Sequence, residues 1–473
     1  MMHFFVVVFV AVVVCAILSA GELEPGNVVE EKAPGYRGIW YWNQKTGNEY
    51  VYKYSGGLGT YCAKHIPLAF YSAEVDKTFF TYGGASEEGS LLEMVSYYDH
   101  KTGTVPRPTL LMDKGTSDAH DNVTIMLDEE GYVWCFASAH GTARPAYIFK
   151  SVRPHSIEKF ELAARFNFSY PQAWFMGDRG WLFTHTKYES WQGQGGRTLW
   201  WMTGQDGRRW RERQRLSRVA EGHYQVSWRW KDKVGTAFNY HPPRRDDGQA
   251  GLNWRTNLYY LETSDMGETW RTVSGEKVEP PLRDVDNPAL VRNYEKKRRN
   301  VYMKDINFDS AGNPVVLYVT SGGWEPGPAS APFIWRVAHW NGDEWKFNTI
   351  TESDSNYDTG CLHVEGDSSW RVIGPTETGP QPYNPGGEMA LWTSKDEGER
   401  WEKVRQITQG SEYNHTYARR PANASPGFYA LWADGHGRKP SKSRIYFCDR
   451  EGNAYRLPYS MDGERAEPEP INE

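Results

Sequence analysis

The sequence predicts an all-β chain folded as a seven-bladed propeller of four-stranded antiparallel blades, and three observations carry that expectation. Seven hairpin patterns recur, each an apolar strand, a polar turn with Gly or Asp, and a β-branched or aromatic strand. Their spacing is about 50 residues, widening to about 80 across a charge-rich insertion from Gly275 to Asn300, close to one blade per repeat. A turn motif ending in Trp occurs three times. No segment keeps a helical period, so helices should be rare.

The hairpin turns fall at Ala73 to Lys77, Asp128 to Gly131, Gly177 to Gly180, Lys231 to Lys233, Asp309 to Gly312, Glu365 to Ser368 and Asn423 to Gly427. The repeated turn reads Thr263-Ser-Asp-Met-Gly-Glu-Thr-Trp270, Thr393-Ser-Lys-Asp-Glu-Gly-Glu-Arg-Trp401 and a shorter Thr203-Gly-Gln-Asp-Gly-Arg-Arg-Trp210. In each, an Asp bonds its own backbone, a Gly supplies positive φ, and the Trp pins the turn to the next strand. These segments resemble the Asp-box of BNR-repeat propellers, Ser/Thr-x-Asp-x-Gly-x-Thr-Trp, and that resemblance implies a fold rather than a function.

Residues 1–20 form an apolar run ending in small residues before Gly21-Glu22, which reads as a secretory signal peptide cleaved near Ala20. The mature chain is therefore expected to be secreted and free of the membrane. Residues 21–460 should form one propeller domain, because all-β propellers exceed the usual domain length. Residues 461–473 read as an acidic, Pro-containing tail that frays. Beyond the leader, Cys62, Cys135, Cys361 and Cys448 are too few for a disulfide scaffold in 473 residues, although an oxidising compartment leaves room for one or two bridges, so the core must supply the stability.

A net charge of −6 argues against nucleic acid, and an acidic ligand must be held by local Arg and His clusters. The 21 Trp and 29 Tyr are more than a core needs. Most should fill wedges between blades, yet rings with a polar handle also suit wet surfaces and stack on sugars. Four glycosylation-like sequons occur, at Asn122, Asn167, Asn414 and Asn423, of which Asn122 lies inside a candidate site and is expected to be unmodified.

That candidate site starts from the segment Asp118 to His140, where His120 lies eight residues before the turn and His140 nine after it. Antiparallel pairing sets the two side by side at the open end of the hairpin. The next hairpin delivers Tyr188 to the same rim, and Arg197 follows a Gly/Gln-rich loop. A phenol with a pKa near ~10 is a poor base, but an adjacent Arg and a protonated His are expected to favour the phenolate. Each residue alone reads equally well as a strand cap or rim side chain. Together, two His, a Tyr and an Arg suit β-elimination from a uronic acid. A cation neutralises the C6 carboxylate, a base takes the C5 proton, and a proton returns to the departing O4.

Tyr224, Tyr240, Arg255 and Arg420 are candidates for gripping the sugar or its carboxylate, and equally for blade-to-blade stacks and ion pairs. Later hairpins bring further histidines across their turns, His223 with His241 and His415 with His436. Cys361 and His363 lie two apart, on one face of a strand. His241, Cys361 and His363 are therefore the candidate ligands of a structural metal ion, zinc rather than calcium because of the sulfur, beside the simpler reading of a hydrogen-bonded rim. The elimination itself needs no cofactor.

The stretches Tyr54 to His65, Asp118 to His140, Thr186-Lys-Tyr188 and the Asp-boxes look like the seven-bladed ulvan lyases, and equally like the L-rhamnose-α-1,4-D-glucuronate lyases that act on arabinogalactan side chains. The resemblance implies catalytic roles for His120, His140, Tyr188 and Arg197. It also implies cleavage of α-L-rhamnose-(1→4)-D-glucuronate to a 4,5-unsaturated uronate, with an acidic rhamnose- and glucuronate-containing polysaccharide as partner and a monomeric protein. A propeller α-L-rhamnosidase is similar over the same length, and implies hydrolysis of that linkage from the opposite face through one histidine, matched here by His65. A non-catalytic sugar-binding propeller is the third reading.

Overall fold

The computed structural model of the protein describes residues 24, 26–191, 194–243, 253–366 and 369–471, so the expected leader at residues 1–20 lies outside the described residues. Seven antiparallel sheets follow one another along the chain. They open with strands Ala69–Ser72, Val123–Leu127, Ser169–Phe175, Gln225–Trp230, Asn300–Phe308, Cys361–Glu365 and Asn414–Arg419, the first strands of blades 1 to 7. The first strands of blades 1 to 6 lie against one another in turn around a central channel. Each expected turn joins the first and second strands of a blade, with residues 367 and 368 of the sixth outside the described residues. The charge-rich insertion belongs to blade 4, where Leu290–Arg292 pairs with Thr256–Thr263, which accounts for the stretched spacing there.

The Asp-boxes join the third and fourth strands of blades 3, 4 and 6. In blade 4 the Asp265 carboxylate accepts from the Thr263 hydroxyl and the Thr269 backbone N–H, both at 2.8 Å. Gly267, at φ +88°, lies so close to the Trp201 indole of blade 3 that a Cβ would stand 2.2 Å from its Nε1. The motif thus locks one blade onto the ring of the blade before it. Aromatic wedges do the rest. Trp134 meets Trp181 at 5.3 Å and Trp174 meets Trp228 at 5.0 Å, edge to face. A buried ring of this size removes roughly 150–250 Å² from water, on the order of 4–6 kcal/mol before entropy is counted. All four described cysteines are buried free thiols, so packing rather than cross-linking holds the blades.

The described part of the tail, through Ile471, does not fray. Arg465–Ala466 pairs with Val105–Pro106 of blade 1, Glu469–Pro470 extends the edge of blade 7, and the Arg107 guanidinium donates to the Met461, Asp462 and Gly463 carbonyls. Backbone pairing across the seam between blades 7 and 1 outweighs the polar composition that predicted disorder. Outside the blades, a hairpin of Trp40–Lys45 and Tyr52–Gly57 lies on the open rim. Its inner strand is buried along its whole length, and Gly57 meets blade 7 so tightly that a Cβ would overlap the Asp434 carbonyl. Among the described residues no helix is long and apolar enough to cross a membrane.

Candidate active site

Blade 2 builds the centre of the site. Asp118 caps the short 3-10 turn Ala119–Asp121, accepting from the His120 backbone N–H at 3.1 Å, and that turn leads into the first strand. His140 follows the second strand, and its backbone N–H donates to Asp121 at 2.6 Å. Cross-strand pairing of Val123 with Ala137 therefore brings the two imidazoles together, stacked 4.0 Å apart at 16°. Asn122, buried inside this junction, donates its amide to the Leu58, Gly59 and Tyr61 carbonyls, tying the rim hairpin to the histidine turn. Its amide is a structural element of this junction.

One carboxylate orients both rings. His120 Nδ1 lies 2.5 Å from Asp118 Oδ1 and His140 Nδ1 lies 2.7 Å from Oδ2. A carboxylate accepts only, so both Nδ1 atoms carry the proton and both Nε2 atoms are acceptors. His120 Nε2 takes the hydroxyls of Tyr54 at 2.8 Å and Tyr61 at 2.7 Å. Burial and the neighbouring His140 push the His120 pKa down to about 4, against the pull of Asp118. Burial alone raises the Asp118 carboxyl, but the two histidine donors outweigh it and hold the group well below the usual carboxylate range. The His140 side chain is 26% exposed against 4% for His120, so His140 presents its Nε2 to the open face and His120 backs it.

Blade 3 supplies the other half. Tyr188 on Trp181–Trp191 and Arg197 on Gln194–Gly204 are direct cross-strand partners, which explains their short separation in sequence. The Tyr188 ring stands edge-on to His140 at 5.5 Å, and its hydroxyl bonds that of Tyr170 at 3.0 Å. Tyr170 sits at φ +53° inside a bulge of its strand, a strained conformation that turns its phenol toward the site. Burial pushes the Tyr188 phenol up, beyond what Arg197 can lower. The expected phenolate is therefore corrected: the resting Tyr188 is protonated.

Beyond Tyr188 lies a cluster of cations. The Arg197 guanidinium sits over the Tyr188 and Tyr224 rings at 5.1 and 5.3 Å, and Arg255 sits over Tyr224 and Tyr302 at 4.6 and 4.5 Å. Burial, then Arg255 and Arg197, push the Lys53 ammonium well down, and burial lowers Lys64 to about 7. Among the described residues no carboxylate pairs with Arg197, Arg255 or Lys53, and buried nitrogens of both arginines have no hydrogen-bond partner. Uncompensated positive charge in a tyrosine-lined floor is an anion-holding arrangement.

Three expectations are corrected by position. Tyr240 points away and bonds Glu295. Arg420 lies at the turn end of blade 7, paired with Asp305 at 3.1 Å and stacked on Trp228 at 3.5 Å. The three proposed metal ligands do not converge: Cys361 Sγ and His363 Nε2 lie 3.9 Å apart in blade 6, where His363 stacks on Tyr429 at 3.6 Å, but His241 bonds the Trp254 carbonyl at 3.0 Å beside Tyr224 in blade 4. Among the described residues the one cluster of ligand-type atoms is Asp118 with His120 and His140. Its N···O contacts of 2.5 and 2.7 Å are hydrogen bonds, too short to straddle a tetrahedral zinc whose ligands sit ~2.0–2.1 Å from the ion. His223 and His415 are likewise satisfied by Ser217 and Asn239, and by Ser411 and Trp432. His65 is fully buried, its Nδ1 held by the Cys62 backbone N–H at 3.2 Å and its ring 5.6 Å from Tyr170.

Sequence reasoning gave no role to Asp118, Tyr54, Tyr61, Tyr170 or Lys53. Asp118, two residues before His120, was the one with a local signal.

Residues 92–353 match the model of a family described as BNR repeat-containing family members. The fold is similar to a solved polysaccharide lyase, a PL25 ulvan lyase, with a TM-score of 0.66 at 18% identity over 90% of this chain and 97% of that one. A second structure of that lyase, bound to -[GlcA(1-4)Rha3S]-, is similar with a TM-score of 0.67 at the same identity and coverage. No curated protein matches the chain in sequence.

Proposed function

We propose that this chain, which belongs to the BNR repeat-containing family, is a secreted polysaccharide lyase that cleaves the α-L-rhamnose-(1→4)-D-glucuronate linkage by β-elimination. The observation that carries the reading is the convergence of an Asp118-oriented histidine with Tyr188 beside arginines that have no carboxylate partner among the described residues. The leader-like run at residues 1–20 supports secretion. The oligosaccharide bound to the similar ulvan lyase, glucuronate joined to sulfated rhamnose, supports the substrate class.

In this mechanism Arg197 and Arg255, with Lys53 beside them as a hydrogen-bond donor, hold the C6 carboxylate and stabilise the charge that develops when C5 loses its proton. His140 Nε2 takes that proton, its Nδ1–H fixed on Asp118. The C5–H electron pair becomes the C4–C5 double bond, the C4–O4 bond breaks, and Tyr188 returns a proton to O4. The products are a 4,5-unsaturated uronate and a rhamnose-ended chain. Asp118 keeps the accepting nitrogen of His140 aimed at the open face.

The test is incubation with ulvan and with gum arabic, following the ultraviolet absorbance of a conjugated 4,5-unsaturated uronate. A rise in absorbance supports the lyase. Free rhamnose released without it would sink the lyase and favour hydrolysis through His65, and binding with no product would favour a sugar-binding propeller.

A further inference from the structure

We infer that the groove on the far side of Asp118 from the arginines is a second carbohydrate subsite, taking a further sugar residue of the acidic polysaccharide so that the chain is cut internally. This rests on the polysaccharide reading above. The groove has a volume of about 440 Å³ and is walled by Trp40, Tyr41, Trp42, Ser117, Lys442 and Tyr459.

Three features point to a sugar. The groove adjoins the reacting centre, because the Tyr41 ring stands edge-on to His120 at 5.9 Å and Ser117 precedes Asp118. It also carries an exposed aromatic face. Trp42 is 39% exposed, and Tyr52 holds its indole from one side, with ring centroids 4.8 Å apart. A rigid ring presented beside a site that handles sugars is a stacking platform for a pyranose. Finally, cations line the rim. The Lys45 and Lys442 ammonium groups sit over Trp42 and Tyr459 at 5.7 and 5.4 Å, positions that suit an anionic polymer.

The order of the blades gives the direction. Arg197 and Arg255 come from blades 3 and 4, the histidine pair from blade 2, and the groove from the seam of blades 7 and 1. A chain held by the arginines and passing over His140 therefore continues into the groove. The rim hairpin couples the two halves, since it supplies Tyr54 to His120 from its inner strand and Trp40 and Trp42 to the groove from its outer strand.

The experiment measures binding and turnover of ulvan oligosaccharides of graded length by the full chain and by Trp42→Ala, Trp42→Phe and Lys442→Gln. Trp42→Ala is expected to weaken binding by a factor that grows with length and reaches about tenfold. Trp42→Phe should keep most of the affinity, and Lys442→Gln should reduce the salt dependence for the long chains alone. Wild-type product profiles should be internal cuts, with viscosity falling early. A loss that is equal at all lengths, or absent, overturns the subsite. If the wild type binds with this length dependence but yields no unsaturated product, the subsite stands and the lyase reading falls. Failure to bind any length overturns both.

Discussion

The imidazoles of His120 and His140 stack 4.0 Å apart because a single carboxylate, Asp118, accepts an N–H from each. Replacing it with an amide removes one acceptor and offers a donor in its place, so one ring must turn or change tautomer. Asp118→Asn is expected to lower kcat by ~100-fold or more, the scale of a misplaced general base, with little change in KM. Steady-state kinetics on ulvan check this. A loss within about threefold would mean that His140 needs no such orientation.

Tyr188 and Tyr170 share a hydrogen bond of 3.0 Å, and Tyr188 is the one beside His140. Tyr188→Phe keeps the ring under Arg197 but removes the proton donor to O4. The expected result is a fall in kcat of ~10²–10⁴ with binding retained. Tyr170→Phe should cost far less, since its hydroxyl acts only through Tyr188. Equal losses in the two variants would argue that the pair is structural.

The parts of the site that lie on one hairpin were legible in the sequence. Counting from the turn at Asp128 to Gly131 places His120 opposite His140, because the pairing of this hairpin keeps an unbroken two-residue period. The rotation of one blade against the next leaves no periodic trace, however. That is why Arg420 and Cys361 were expected at a rim they do not reach, and why Tyr54 and Tyr61 were missed: the hairpin that carries Tyr54 and the loop after it that carries Tyr61 belong to no blade and fold over blade 2 from more than 50 positions away. The tail misled for another reason. Most of its side chains are polar and exposed, and what binds it is long-range: backbone pairing to blades 1 and 7, Met461 in the core, and Arg465 on Thr104 and Tyr97.

Arg197 and Arg255 flank one phenol, Tyr224, from separate blades and lack carboxylate partners among the described residues. If they hold the uronate, their loss should depend on its charge. Arg197→Met and Arg255→Met are each expected to lower kcat/KM on the native polysaccharide by ~30-fold or more, the scale of an unpaired buried charge. Affinity for a carboxyl-reduced polysaccharide should change far less. Similar losses on both substrates would assign the arginines to packing of the tyrosine floor instead.

Acid should destabilise the fold, and the sign follows from its buried histidines. Burial lowers the pKa of His65, His120, His185, His223, His241, His363 and His415, to about 4 for His120 and His223 and about 3 for His185, from 6.5. The unfolded chain binds these protons first, so their contribution is complete above pH 6.5 and is lost as pH falls toward 4, at ~1.4 kcal/mol per unit and group. Glu93, Asp354 and Asp358, whose pKa values are raised by burial, act in the opposite direction. Seven groups outweigh three. The melting temperature is expected to fall by on the order of 5 °C between pH 7 and 4.5. His185 isolates one contribution, since it lies in the blade 3 core against Phe168 and Phe183, away from the histidine pair. His185→Gln should narrow the gap between the two melting temperatures, and a gap unchanged in that variant would remove the buried histidines as its cause.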